Sequence, residues 1–228
     1  MMARRSIKRR PRVVGVIASR ADLKRAIRMR RPPDIFELRL DCLADFVDHV
    51  KRALPKLNAP LLITARDAHE GGARKLRLRQ RRDLLDEFLN HAAYMDIELR
   101  SARAMRSLFE LGGKKRVRRI ISFHNFKATP SVRILEAKAR EARSHGADIF
   151  KVATRTDTPM ELGRLLEFMT SSPLDLALAV MGVGKLGAIS RMLLARAGSV
   201  LIYASLGAAS DIEGQLSLKQ VRALGFGL

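Results

Sequence analysis

The stretch Ala147-Asp148-Ile149-Phe150-Lys151-Val152-Ala153-Thr154-Arg155-Thr156 decides the fold. It reads as a strand of near-continuous apolar character that carries one lysine, Lys151, toward its C-terminal end. An ammonium inside a core is costly unless paired, so a lysine here is a poor packing choice. It is a sensible chemical one, because desolvation and neighbouring cations lower its pKa and yield a nucleophilic amine. The plain alternative is a lysine that snorkels from a strand end to water.

Working outward, the same strand-then-helix unit recurs along the chain. Strands are expected over Arg12–Ala18, Asp34–Asp41, Ala59–Ala65, Tyr94–Leu99, Val117–Phe123, Asp148–Ala153, Asp175–Met181 and Ser199–Ser205. Between them lie helical patterns: Ala21–Arg30, Leu43–Leu54, a long basic segment ending near His91, Ala102–Leu111 with Gly112-Gly113 as its stop, Ser131–His145, Pro159–Met169 and Gly187–Ala197, with Ser217–Leu224 last. Eight apolar strands alternating with helices call for a parallel sheet covered on both faces. Eight units in 228 residues predict a (β/α)₈ TIM barrel: one domain over residues 11–228, preceded by a disordered basic arm over residues 1–10. An open doubly wound sheet is the competing architecture.

Composition narrows the function. No apolar run approaches the ~20 residues that span a membrane. One cysteine, Cys42, excludes an internal disulfide and suits a reducing cytoplasm, and five scattered histidines form no metal motif. The anomaly is charge: 44 Lys and Arg against 23 Asp and Glu give +21, with clusters at Arg4–Arg12, Arg74–Arg82 and Lys114–Arg119. A basic face attracts polyanions. Here the clusters lie in different segments, aromatics are only 5%, and no reading motif accompanies them, which argues against nucleic acid. A positive field also draws in a small carboxylate.

In such a barrel function collects at the C-terminal strand ends. Glu37, Arg39 and Asp41 alternate along the second strand and are expected on one inward face. Arg66 and Glu70 follow the third, Asp96 and Glu98 end the fourth, and His124 ends the fifth. Met181 and Arg191 follow from the seventh unit, and Gln215 from the eighth. Singly, each has a bland explanation as an ion network, a core histidine or a helix-surface arginine. Gly182-Val183-Gly184-Lys185-Leu186-Gly187 matches a G-x-G-x-x-G pattern, but it follows the seventh strand rather than opening a first βα unit, so it is weak grounds for a nicotinamide cofactor.

These residues resemble the type I 3-dehydroquinate dehydratase family. The resemblance rests on Glu37-Leu38-Arg39-Leu40-Asp41, Thr64-Ala65-Arg66-Asp67-Ala68-His69-Glu70-Gly71-Gly72, Ser122-Phe123-His124-Asn125-Phe126, Phe150-Lys151-Val152-Ala153, Gly187-Ala188-Ile189-Ser190-Arg191 and Gly214-Gln215. It implies a cytoplasmic, often homodimeric enzyme of the shikimate pathway, dehydrating 3-dehydroquinate without metal or organic cofactor. Lys151 would form an imine with the ring ketone, His124 would move the proton, and Glu70 would orient His124. Arg191 would clamp the carboxylate, while Glu37, Arg39, Arg66 and Gln215 would hold ring hydroxyls, with Ser210 and Gln215 on a lid. The segment Ser210-Asp211-Ile212-Glu213-Gly214-Gln215 departs from the family's lid in length and lacks its proline. Other class I Schiff-base lyases, aldolases included, and a basic barrel that binds RNA are the alternatives.

Overall fold

The computed structural model describes residues 10–172, 174–207 and 212–227. Eight parallel strands run β1 (Arg12–Ile17), β2 (Ile35–Arg39), β3 (Leu61–Thr64), β4 (Tyr94–Glu98), β5 (Arg118–Asn125), β6 (Ile149–Arg155), β7 (Ala177–Val183) and β8 (Leu201–Ser205). Their hydrogen-bonded order is β7-β6-β5-β4-β3-β2-β1-β8, so β8 pairs with β1. β7 and β8 meet at the remaining seam, where the Val200 N–H donates to the Leu178 carbonyl at 2.9 Å. The result is a nearly closed (β/α)₈ barrel, as the alternation predicted.

Helices α1 (Arg20–Arg28), α2 (Leu40–Leu43), α3 (Val47–Ala53), α4 (Leu78–Phe88), α5 (Arg106–Lys114), α6 (Val132–Ser144), α7 (Pro159–Ser171), α8 (Gly187–Ala197) and α9 (Leu218–Ala223) surround the strands. Among the described residues no helix is long and apolar enough to cross a membrane. One apolar cluster packs the strands' outer faces against the helices, including Phe36, Leu38, Ile63, Phe150 and Phe168. A second fills the barrel's inside, where Val14, Ile35, Leu62, Ile120, Ile149 and Ala179 meet. Alternation puts every second residue inside. On β5 the inward series is Arg118, Ile120, Ser122, His124, running from the barrel's floor through its core to its mouth.

Two local expectations change. Asp41 lies beyond β2, in α2, because the strand ends at Arg39. The glycines at 112 and 113 do not stop α5, which continues through them to Lys114. A Cβ at Gly112 would lie 2.8 Å from the Met95 side chain, so this glycine lets the helix approach the sheet closely. The basic arm, apart from Arg10, lies outside the described residues, as does Ser210.

Candidate active site

The mouth of the barrel holds a cavity of about 180 Å³. Glu37, Arg39, Arg66, Glu70, His124, Lys151, Arg191 and Gln215, all singled out in the sequence, line it together. They arrive from six units of the barrel: Glu37 and Arg39 from β2, Arg66 and Glu70 from the segment after β3, His124 from β5, Lys151 from β6, Arg191 from α8 after β7, and Gln215 from the segment after β8. Ser122 pairs in register with Lys151, and His124 with Ala153.

Lys151 is 4% exposed. Its Nζ donates to Asp96 Oδ2 at 3.0 Å, lies 3.9 Å from Glu37 Oε1, and sits 4.1 Å from the centre of the Tyr203 ring. Burial holds its pKa below the usual lysine value; Arg66 adds to that, while Asp96 and Glu37 oppose it. The nearest charge is therefore a carboxylate, and burial does more than the cationic neighbours expected from the sequence.

His124 is oriented by Glu70. One carboxylate oxygen, Oε2, accepts from the His124 backbone N–H at 3.0 Å and lies 2.9 Å from its Nδ1. That leaves Nε2 as the base when the proton resides on Nδ1. Burial, with Arg66 and Lys151 nearby, holds the imidazole well below its ordinary pKa and so neutral. Burial, reinforced by Glu98, pushes the Glu70 carboxyl up to about 7. The loop carrying Glu70 is pinned by its glycines. Gly71 adopts φ +85°, and a Cβ on Gly72 would lie 2.3 Å from the Arg66 carbonyl oxygen.

Beneath these groups runs a saturated ion network. Arg66 donates to Asp96 at 2.7 and 3.2 Å, to Glu98 at 3.0 Å and to Ser122 at 2.6 Å. These contacts brace its guanidinium in the cavity wall, which it also lines. Glu37 accepts from the Thr64 hydroxyl at 2.8 Å. Arg39 makes a two-point contact with Asp41 at 3.0 and 2.8 Å, and Asp41 also accepts from the backbone of Arg66 and Ala73. Arg81, from the basic cluster Arg74–Arg82, is 1% exposed and bonds Glu98, Asp67 and the Ala65 carbonyl.

Arg191 differs. It is 4% exposed, its Nε has no hydrogen-bond partner among the described residues, and its one side-chain bond goes to Met181 Sδ at 3.5 Å. Burial pulls its pKa down to about 10. Ser190 aims it, with Oγ accepting from the Gly182 N–H and donating to the Gly187 carbonyl, which ties α8 to the end of β7. The Tyr203 hydroxyl, in the same cavity, is also buried without a partner among the described residues. An uncompensated buried guanidinium next to an unpaired hydroxyl is a receptor for an anion.

The glycine pattern after β7 has a structural use. Gly214 packs against Gly187, a Cβ on Gly214 would lie 2.6 Å from the Gly187 Cα, and the Gly184 N–H donates to the Glu213 carbonyl at 3.0 Å. The loop therefore seats the segment Ile212–Gln215 over the cavity. Glu213 faces Arg155 at 3.2 Å. Asp96, Glu98, Ser122 and Tyr203 were the residues that strand-end reasoning alone left without a role. Glu98 and Ser122 share a register row with Lys151, and Asp96 and Tyr203 meet its amine directly.

Fold and cavity together define a (β/α)₈-barrel enzyme whose ionisable groups gather at the C-terminal ends of the strands. A family model described as type I 3-dehydroquinase matches residues 14–225. The chain belongs to the type I 3-dehydroquinase family, a family of hydro-lyases. It is 34% identical to a 3-dehydroquinate dehydratase of Thermodesulfovibrio yellowstonii over 194 residues, 82% of each chain. It is 30% identical to that of Methanococcus vannielii, over 84% of this chain and 86% of the other. Among solved structures, the 3-dehydroquinate dehydratase of Geobacillus kaustophilus superposes with a TM-score of 0.84 at 26% identity, covering 95% of this chain and 90% of that one. The type I enzyme of Clostridium difficile, solved with covalently modified comenic acid, gives 0.84 at 25% identity, covering 94% and 91%.

Proposed function

We propose that this chain dehydrates 3-dehydroquinate to 3-dehydroshikimate, the shikimate-pathway reaction of its relatives, through an imine on Lys151. The observation that carries the reading is the burial of the Lys151 amine beside a neutral, carboxylate-oriented imidazole, with Arg191 lacking a carboxylate partner.

The residues divide the work. The amine adds to the ring ketone and one water leaves, giving an iminium whose positive charge acidifies the adjacent C–H bond. His124 Nε2 takes that proton, a task for a base held neutral near physiological pH and worth about 10²–10⁴-fold. The imidazolium then returns the proton to the departing hydroxyl as the C–O bond breaks, and a second water leaves. Hydrolysis of the conjugated iminium consumes one water and restores the amine, so the net loss is one water. The Tyr203 ring under Nζ suits a nitrogen that stays cationic through the iminium stage. Arg191, with the Tyr203 hydroxyl, receives the substrate carboxylate. Glu37, Arg39 and Gln215 face the ring hydroxyls. Arg66, braced by Asp96 and Glu98 and lining the same cavity, joins Glu37, Arg39 and Gln215 in holding the hydroxyls.

Borohydride reduction in the presence of 3-dehydroshikimate, followed by peptide mass mapping, tests the reading. A stable adduct on Lys151 is expected. An adduct on another lysine, or none with active enzyme, defeats it.

A further inference from the structure

The excess positive charge is left over by the dehydration chemistry, and the barrel sorts it. The residues just ahead of each strand share the floor, opposite the mouth. Two of the basic clusters, separate in sequence, meet there.

At the floor's centre Tyr94 closes the barrel at 2% exposure. Arg12 from β1 donates to the Tyr94 hydroxyl, and its Cζ lies 6.0 Å from the ring centre. Arg118 from β5 approaches the same ring at 5.6 Å. Neither has a carboxylate partner among the described residues, and both are exposed. They line one cavity with Arg10. Beside them Lys114, Lys115 and Arg116 are exposed on the turn from α5 into β5, and Arg30 and Arg31 on the turn from α1 into β2. Of the three carboxylates nearby among the described residues, Asp34 holds Arg10 and Asp148 holds Arg119, and Asp175 remains, lining a cavity with Arg116 and Arg118, so the cations outnumber the acids.

We propose that the floor of the barrel is a docking surface for nucleic acid, engaging its phosphate backbone without reading its bases. Two guanidiniums fixed over one ring, with further cations on both sides, match a row of phosphates. Residues 10–12, 29–34 and 115–118 expose no large apolar side chain, and the exposed Leu111 and Leu224 at the neighbouring helix ends are aliphatic and lie on different helices, so this face offers neither a continuous membrane wedge nor an aromatic platform for stacking bases. The mouth points the other way, so docking and dehydration can proceed together.

The test uses the full chain and a fluorescein-labelled RNA duplex of about 20 base pairs, which presents its backbone outward. Binding is read by anisotropy across a salt series, with dehydratase activity reporting the fold. Arg12→Ser/Arg118→Ser should flatten the salt slope by about 1.8, two phosphate contacts' worth. Lys114→Ser/Lys115→Ser/Arg116→Gly should flatten it by about 2.7, for three contacts. Arg116 already adopts φ +61°, where glycine is at ease, so this variant protects against misfolding. The charge-matched control Arg103→Ser/Arg133→Ser, from exposed positions on the mouth side, should leave slope and affinity within about twofold of the parent. Equal losses in all three variants, a preference for anionic vesicles over RNA, or no RNA binding near 0.1 M salt would each overturn the proposal.

Discussion

The two ends of this barrel treat positive charge in opposite ways. At the mouth Arg66 is 3% exposed and bonds two carboxylates and a hydroxyl. At the floor Arg12 and Arg118 are exposed and meet a tyrosine instead of an acid. The same alternation delivers both kinds: on β5 it sets Arg118 at one end and His124 at the other. Register along the strand, more than residue type, decides whether a cation becomes machinery or surface. Apart from Arg191, left open toward the cavity, the buried charges at the mouth are held in pairs, and removing one partner strands the rest.

That contrast gives the largest expected effect. Asp96 accepts from Arg66, Lys151 and Ser122, so Asp96→Asn leaves two buried cations undercompensated. The cost should be about 3–5 kcal/mol, a thermal midpoint lower by roughly 10 °C in a chain of this size. Arg66 and Lys151 hold the Asp96 carboxyl below its usual pKa despite burial. A depressed carboxyl contributes its stability above the unfolded value near 3.9 and loses it as pH falls through the folded value. The gap between parent and variant should therefore be widest at neutral pH and shrink in strong acid. A gap that widened in acid would contradict the pairing.

An intermediate effect concerns the catalytic pair. Glu70 sits near pH 7 and His124 well below its ordinary value, so the two titrate as a unit. As pH falls through about 7 the unit gains a proton and the base is lost. The predicted kcat/KM profile has an acid limb with apparent pKa near 7, falling toward tenfold per pH unit below it. In Glu70→Gln the carboxyl no longer titrates, so the limb should move to lower pH, where the imidazole itself protonates. A limb that stays near 7 in the variant would take Glu70 out of the pair.

How much of this was legible in the sequence follows the same division. Strand order and the inward polar residues were readable, because apolar runs and period-two alternation survive any packing detail. Arg81 was not: on α4 it sits among other basic residues, and only the folded chain brings Glu98 and Asp67 to it. Tyr203 was hidden for the opposite reason, since a tyrosine in an apolar strand looks like filler until Lys151 is placed over its ring. Gly112-Gly113 misled because a glycine pair at a helix end signals a stop, whereas here it serves close packing against Met95. The floor went unread because Arg12 and Arg118 are 106 residues apart in sequence and become neighbours only when β1 and β5 enclose Tyr94.

The smallest expected effect is the sharpest check on the contrast itself. Arg118→Ser removes a cation–π contact worth about 0.5–1 kcal/mol at an exposed site. It also removes repulsion from Arg12 and Arg10, which line the same cavity, so the two losses oppose each other. The net change in stability should stay within about 0.5 kcal/mol, as for surface substitutions generally. Its salt dependence carries the information. Added salt screens the repulsion between exposed charges and barely touches the contact of Arg118 with the Tyr94 ring, so the parent should gain on the variant as salt rises. Urea midpoints at low and high ionic strength read this directly. A loss as large as that of Asp96→Asn, unchanged by salt, would mean that the floor arginines are structural and that the two ends do not differ in kind.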